Sequence, residues 1–350
     1  MERRELGNSG IMASALGLGV MTFGAQTDAH EGFAQLDLAR EAGVNLFDAA
    51  ENYPAPVLAE TQGRTEEILG DWIAARGVRD RVIVATKVTG PGGMAHIRGE
   101  KRHLDRANIM AAIEGSLRRL KTDYVDLYQL HWPDRPISTA ARNRFLHIAD
   151  APEIVSIEET LDAMKELVAS GKVRHVGVAN ETPWGVMRYL AHAEQSGAPR
   201  IVTIQNGYNL LDRRFELGLA EISMREKVGL LAYSPLSSGL LTGKYVQGMD
   251  AVQGTRMQLF PGFDKRYGKQ AIQDAVLAYV AIARRHGLDP AAMALAFVRQ
   301  QPFVTSVLMA ASSVDQLKRN LASRDVTLSR EIMKEIDAVH DAAPNPTVRG

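Results

Sequence analysis

Four side chains suited to acid–base chemistry stand at or just after short apolar segments of this sequence. Asp48 closes one such segment and Tyr53 follows it by five residues, while Lys87 and His131 each close a later one. Taken singly, each has an ordinary explanation, because an aspartate can cap a turn and a lysine can extend its stem along apolar surface. Four such residues at successive strand ends point instead to a shared site.

Proton donation to a carbonyl oxygen is the chemistry that these four residues could share. A free tyrosine has a pKa near 10 and is a poor proton donor at neutral pH. The ammonium of Lys87 would lower the pKa of Tyr53, and Asp48 would keep Lys87 charged and in place. His131 would hydrogen-bond a substrate oxygen or join the proton path. Since no side chain donates hydride, carbonyl reduction by this group of residues also implies a nicotinamide cofactor.

The hydrophobic pattern predicts a fold that brings these strand ends together. Apolar runs of strand length alternate with helical periodicities along the chain, and such alternation indicates a parallel sheet. Eight units favour a closed (β/α)8 TIM barrel, forming one domain over residues 1–350, with its site at the C-terminal ends of the strands. A short hairpin of strands 3–6 and 11–14 is predicted before the barrel. Barrel strands are predicted at 15–19, 45–48, 81–87, 124–131, 173–180, 201–205, 228–233 and 304–309.

Helices and long loops complete the predicted barrel. The principal helices are expected at 30–42, 66–76, 107–120, 157–170, 216–226, 270–286, 290–300, 314–321 and 329–340, with a further one opening at Thr182-Pro183. Long loops at 51–65, 132–155 and 234–269 follow the second, fourth and seventh barrel strands. These loops are expected to rim one mouth of the barrel.

The composition excludes several classes of function. The 350 residues are 45% hydrophobic and 23% charged, as in ordinary folded proteins. With a formal net charge of +0 and a pI near 7.2 there is no basic field, so nucleic acid is not an expected partner. Cysteine is absent, which excludes disulfides and a cysteine nucleophile. Without an apolar signal segment or a bilayer-length apolar run, a cytoplasmic protein with no membrane partner is expected.

Two common motif classes fail to match. The glycine-rich segment GLGVMTFG has Thr22 where the dinucleotide fingerprint G-x-G-x-x-G requires its last glycine, so a Rossmann fold is not indicated. Histidines and carboxylates do not cluster at metal-ligand spacing, so no metal site is predicted. A metal hydrolase on the same barrel is therefore the least favoured alternative.

Segments spread over nearly the whole chain together resemble the aldo-keto reductases, and within them the Tas-like subgroup. They are GLGVMTFG, NLFDAAENY, VATK, DYVDLYQLHWP, GKVRHVGVAN, IQNGYNLL, LLAYSPLSSGLLTGKY and SSVDQLKRNL. The resemblance implies an NADP(H)-dependent oxidoreductase on a (β/α)8 barrel. It maps the family's catalytic tetrad onto Asp48, Tyr53, Lys87 and His131, with Tyr53 as the general acid.

The resemblance also implies where NADPH would lie. The nicotinamide amide would be held by Asn180 and Gln205, and its ring would stack on Tyr233. The pyrophosphate would be lined by Ser234, Pro235, Leu236, Ser238 and Gly239. The candidate ligands of the adenosine 2′-phosphate are Lys244 and Arg256. The adenosine end would be met by Ser312, Gln316 and Asn320.

The substrate is expected to be a small-molecule carbonyl compound, an aldehyde or a ketone. Trp132 directly follows His131, so its ring is expected at the barrel mouth beside the loop 51–65, with a core-facing ring as the alternative. A second functional hypothesis is an NADPH-binding regulatory subunit with little turnover, resembling the potassium-channel β-subunits. Nothing in the sequence fixes the oligomeric state.

Overall fold

Parallel strands close into a barrel, as the alternating pattern predicts. The structure, a computed structural model, describes residues 1–99, 102–137, 149, 154–248, 252–259, 262 and 267–347. Its strands, numbered in chain order, are β1 (Arg3–Glu5), β2 (Met12–Ser14), β3 (Leu16–Gly19), β4 (Leu46–Asp48), β5 (Ile83–Val88), β6 (Val125–Leu130), β7 (Val173–Ala179), β8 (Ile201–Gly207), β9 (Gly229–Tyr233) and β10 (Val304–Met309). Within these ranges, the eight strands β3 to β10 pair in sequence order, and β10 returns to pair with β3.

Helices connect the successive barrel strands. In the described part of the chain they are α1 (Ala29–Glu41), α2 (Arg64–Arg76), α3 (Arg106–Leu120), α4 (Ile157–Ala169), α5 (Pro183–Ser196), α6 (Leu219–Glu226), α7 (Arg256–Leu259), α8 (Gln270–Arg285), α9 (Pro290–Arg299), α10 (Val314–Leu321) and α11 (Arg330–Ala342). Side-chain caps account for several starts: Asp105 accepts from the amide of Asn108, and Ser156 from that of Glu159.

The predicted helix 216–226 is wrong at its start. The chain forms a short 3-10 turn at Arg214–Glu216, and α6 begins only at Leu219. Gly218 lies between them with a φ of 99°, a left-handed value that a continuous α-helix cannot accommodate. The helical periodicity of the side chains therefore extended further than the backbone geometry allows.

The interior of the barrel has an apolar floor. One buried cluster joins side chains of the hairpin to inward-facing side chains of the barrel strands; its members are Leu6, Ala13, Leu46, Ile83, Ala85, Leu127, Val202, Leu231 and Leu308. The antiparallel hairpin β1–β2 supplies Leu6 and Ala13, so it packs against the N-terminal end of the barrel. A larger buried cluster packs the helices against the strands.

Polar side chains occupy the layer above this floor. Alternate residues of a strand point to the same side, so Asp48 follows the inward-facing Leu46, and Lys87 follows Ala85. By the same alternation Gln129 follows Leu127. The strands thus deliver polar groups to the C-terminal mouth, where the sites of such barrels lie. Within the described ranges, none of the helices combines the length and apolarity that a membrane span requires.

Candidate active site

The centre of the site is a buried ion pair between neighbouring strands. Nζ of Lys87 lies 2.6 Å from Oδ2 of Asp48 and also donates to the carbonyl of Ala49 at 2.7 Å. The lysine side chain is fully buried. Burial, the largest single effect, lowers the pKa of Lys87, but Asp48 and Tyr53 together outweigh it and leave that pKa above its ordinary value. Lys87 is therefore a charged ammonium at neutral pH.

The second oxygen of Asp48 is held from two further strands. Its Oδ1 accepts from Nε2 of Gln129 on β6 at 3.1 Å and from Nε2 of Gln205 on β8 at 2.9 Å. Gln205 also donates to Oε1 of Gln129 at 3.3 Å. Each carboxylate oxygen thus has its own donors, and these bonds hold the carboxylate with Oδ2 directed at Lys87.

Tyr53 and His131 lie together over this pair. Their rings meet edge to face with centroids 5.5 Å apart, and Nζ of Lys87 lies 5.0 Å from the centroid of the Tyr53 ring. A side-chain hydrogen bond joins Tyr53 and Lys87 and helps to raise the pKa of Lys87. Burial, followed by the ammonium of Lys87, lowers the pKa of His131 well below its usual range, so its imidazole is neutral. The structure thus brings all four predicted residues together.

Trp132 lies beside this group, at the mouth of the barrel. Its ring centroid is 4.8 Å from that of His131, and its Nε1 donates to the carbonyl of Pro91 at 2.8 Å. The side chain is only half-buried. Gly90 packs directly against the indole, since a Cβ added there would lie 2.7 Å from Nε1. The ring is therefore held between the loop after β5 and His131 and does not face the core.

Asn180 and Tyr233, predicted to hold the nicotinamide, are joined to each other. The Tyr233 hydroxyl donates to Oδ1 of Asn180 at 2.7 Å, and Nδ2 of Asn180 donates to the carbonyl of His131 at 2.8 Å. Asn180 has a φ of 55°, a left-handed value that asparagine tolerates better than most residues. These bonds place both side chains next to the predicted tetrad, while Gln205 meets it through Asp48.

The chain after β9 folds into tight turns that suit a phosphate-bearing group. Ser234, Ser237, Ser238 and Gly239 have φ values of 54°, 46°, 58° and 90°. Successive backbone N–H groups in turns of this kind can form anion-binding concavities. A Cβ added to Gly239 would lie 3.1 Å from Nζ of Lys244, so that ammonium sits against the turn. Pro235 and Leu236 belong to the same turn, and Ser238 donates to the Tyr267 hydroxyl at 3.3 Å.

The residues predicted for the adenosine end lie after β10. Nδ2 of Asn320 donates to the carbonyl of Ala310 at 3.3 Å, and the backbone and hydroxyl of Ser312 donate to Oε1 of Gln316 at 3.2 Å. Arg256 is the first residue of α7, and its side chain lies outside the described part of the structure. Within that part, no group of three or more His, Asp or Glu side chains is placed to hold a metal ion.

Comparison with known proteins agrees with the barrel fold. The model of the Aldo/keto reductase family matches residues 15–341, almost the whole barrel. The chain belongs to the aldo/keto reductase family. It is 51% identical over 348 residues to Protein tas of Escherichia coli, covering 99% of both chains. It is also 32% identical to the aldo-keto reductase YhdN of Bacillus subtilis, covering 97% of this chain and 93% of that one. A probable voltage-gated potassium channel subunit beta of rice is 31% identical, with 99% of each chain covered.

Two features of this aldo/keto reductase site were missed from sequence. Gln129 lies within an apolar run read as an ordinary strand, although its two-residue spacing from His131 was a usable signal. The buried ion pair of Glu51 with Arg98 joins two loops that are distant in sequence, and no local sequence pattern predicts such a contact. Both contacts depend on how the closed barrel brings distant segments together.

Proposed function

We propose that this aldo/keto reductase reduces aldehyde or ketone carbonyls to alcohols with NADPH. The observation that carries the proposal is the buried Asp48–Lys87 pair with Tyr53 hydrogen-bonded to Lys87. A fixed ammonium next to a phenol favours loss of the phenolic proton, which is what protonation of a carbonyl oxygen requires. The absence of cysteine is in keeping with a reducing, cytoplasmic setting.

The chain would offer a coherent set of contacts to the cofactor. Asn180 and Tyr233 would hold the nicotinamide, and the turn at 234–239 would receive the pyrophosphate. Lys244 and Arg256 would meet the adenosine 2′-phosphate. Gln205 would lie between the nicotinamide and Asp48. When bound, NADPH supplies the hydride that reduces the carbonyl carbon.

The residues of the tetrad act on the carbonyl oxygen. The hydroxyl of Tyr53 donates a hydrogen bond to that oxygen and transfers its proton as negative charge develops there. Lys87 stabilises the phenolate that remains, and Asp48 keeps Lys87 charged. The neutral imidazole of His131 orients the oxygen, because one of its ring nitrogens carries a hydrogen to donate. Water then returns a proton to Tyr53.

Replacement of Tyr53 by phenylalanine tests the proposal. The substitution removes one hydroxyl and keeps the ring, so the fold and the affinity for NADPH should survive. A positioned general acid contributes on the order of 10²–10⁴-fold, so we expect kcat for a panel of aldehydes and ketones to fall at least about a hundredfold. Reduction at nearly the wild-type rate by Tyr53→Phe would remove Tyr53 from the mechanism.

A regulatory role is the alternative, and the full-length likeness to a rice protein named as a probable channel subunit beta is what favours it. The two roles differ in turnover. Stopped-flow measurement of NADPH oxidation by a simple aldehyde should show many turnovers per site for a reductase. A single slow oxidation of bound NADPH, with no steady state, would favour the regulatory role.

A further inference from the structure

A second buried ion pair lies directly behind the tyrosine loop. Glu51 comes two residues before Tyr53, and its Oε1 pairs with a guanidinium nitrogen of Arg98. The side chains are only 5% and 13% exposed, so both charges are largely withdrawn from water. Buried pairs of this kind are costly unless further hydrogen bonds satisfy them. None of the acid–base steps above uses this pair.

Glu51 fastens its own loop to the end of strand β5. Its Oε2 accepts from the amide of Thr89 at 2.9 Å, and its backbone amide donates to the carbonyl of Lys87 at 3.1 Å. One residue thus bonds to the chain on both sides of Val88. The loop that carries Tyr53 is thereby fixed against the strand that carries Lys87.

Arg98 bonds the end of strand β5 to the loop that follows it. Its Nη2 donates to the carbonyl of Thr89 at 3.0 Å, and its Nε donates to Oδ1 of Asn108 at 3.2 Å. The residue has a φ of 57°, which is uncommon for any residue other than glycine. The loop therefore takes an unfavourable backbone conformation at the residue that completes the pair with Glu51.

The segment around Tyr53 closes on the carbonyl of Glu51. Nε2 of Gln62 donates to that carbonyl at 2.5 Å, and the amide of Gly63 donates to the carbonyl of Tyr53 at 2.8 Å. The amide of Tyr53 donates to the carbonyl of Ala50 at 3.1 Å. These bonds join the two ends of the Tyr53 loop, residues 50–53 and 62–63. We call this bonded segment the neck of the tyrosine loop, and Glu51 lies at its base.

We propose that Glu51 and Arg98 are positioning residues that hold Tyr53 in register with Lys87. The proposal rests on the proposed carbonyl reduction, and it assigns the pair no contact with substrate or cofactor. A misplacement of about 1 Å in a catalytic group can cost roughly a hundredfold in rate. Loss of the pair should therefore lower kcat more than it changes the affinity for NADPH.

The buried carboxylate of Glu66 provides a matched control. It is fully buried, accepts from the Thr86 hydroxyl at 2.5 Å and pairs with Arg119 at 2.7 Å. Thr86 points to the opposite side of β5 from Lys87, because successive strand residues alternate. Glu66→Gln thus removes a buried charge bound to the same strand, and the bonds of Glu66 go to Thr86 and Arg119 rather than to the neck of the tyrosine loop.

The test compares Glu51→Gln, Arg98→Met and their double variant with Glu66→Gln in the full-length, NADPH-saturated protein. The Glu→Gln substitutions are nearly isosteric, and Arg98→Met replaces the guanidinium with an apolar side chain. Thermal melts show which variants are folded. We expect kcat to fall about 10- to 100-fold in both single variants, with a Kd for NADPH within about threefold of the wild type. The basic limb of the pH profile of kcat/KM should move up by about half a unit or more, as Tyr53 leaves the ammonium.

The double variant decides whether Glu51 and Arg98 act together. If they position Tyr53 as a pair, the double variant should lose little more rate than either single variant. Glu66→Gln should lose thermal stability but keep the rate and the pH profile. Equal rate losses in Glu51→Gln and Glu66→Gln, or a Glu51→Gln pH profile identical to the wild type, would overturn the proposal. Absence of carbonyl turnover in the wild type would instead refute the proposed function.

Discussion

Replacement of Asp48 by asparagine exposes the electrostatics of the site most directly. Both oxygens of the carboxylate accept hydrogen bonds, Oδ2 from Lys87 and Oδ1 from the amides of Gln129 and Gln205. An asparagine offers only one acceptor and turns its NH₂ group towards a donor in either orientation. The variant also removes the only carboxylate that the structure bonds to Nζ of Lys87 among the described residues.

The loss of folding stability in Asp48→Asn can be estimated in two ways, which agree. If Lys87 stays charged, an uncompensated buried ammonium costs about 3–5 kcal/mol. If Lys87 instead loses its proton, the folded protein must keep it neutral at pH 7. Because the unfolded pKa is about 10.4, this costs roughly 4.6 kcal/mol. For 350 residues, with about 2.1 cal/mol/K of unfolding entropy per residue, 3–5 kcal/mol corresponds to a fall in Tm of about 4–7 °C.

The pH dependence has a definite sign. In the wild type the pKa of Lys87 is raised on folding, so its stabilisation is complete below the unfolded pKa and is lost as the pH rises through the folded pKa. In Asp48→Asn the carboxylate is gone, so burial lowers the pKa of Lys87 in the folded protein. The loss of stability that this causes disappears as the pH approaches the unfolded pKa of about 10.4. The difference in Tm between the two proteins should therefore be widest near pH 7 and shrink towards pH 10.

Thermal unfolding followed by near-ultraviolet circular dichroism at pH 7 and pH 10 measures this difference. The double variant Asp48→Leu/Lys87→Met is the control, because replacing both charges with apolar groups should restore much of the stability. An Asp48→Asn protein as stable as the wild type at pH 7, or a difference in Tm that does not change with pH, would refute the reasoning.

Further predictions concern the substrate and the cofactor. Trp132→Ala should change the ranking of carbonyl substrates and leave the Kd for NADPH within about threefold, because the indole packs on His131 and Gly90; the exposed Trp184, changed to alanine, should leave the ranking unaltered. An unaltered ranking in Trp132→Ala with a large loss of Tm would show that Trp132 serves packing and does not shape the substrate pocket. Arg256→Ala should weaken NADPH about tenfold or more and NADH hardly at all, since a charge-assisted bond contributes about 1.5–3 kcal/mol. Equal losses for both cofactors in titrations would contradict that assignment.

The strand pattern predicted the site-bearing part of the barrel well because several inward-facing runs end at a polar residue. Asp48 and Lys87 follow apolar floor residues by one strand period, so the end of the run marked both the strand and the site. The start of α6 was mispredicted because side-chain periodicity does not report backbone φ, and Gly218 interrupts the helix. Glu51 and Arg98 were missed because their pairing requires the loop after β5 to turn back on β4, a tertiary contact with no local signature.

Because of the bond between Asp48 and Gln205, the orientation of the Asp48 carboxylate depends on the closure of the barrel. In the order of eight strands, β4 and β8 stand four places apart in either direction, so this bond crosses the interior at full width. Gln129 on β6 reaches the same oxygen from midway between them. The carboxylate can therefore face Lys87 in this way only when strands from opposite sides of the barrel are in place. A side chain positioned by three strands is held more firmly than one carried by a loop. Tyr53 is carried by a loop and meets the strands through its hydrogen bond to Lys87, so a buried ion pair at the base of that loop also bears on its position.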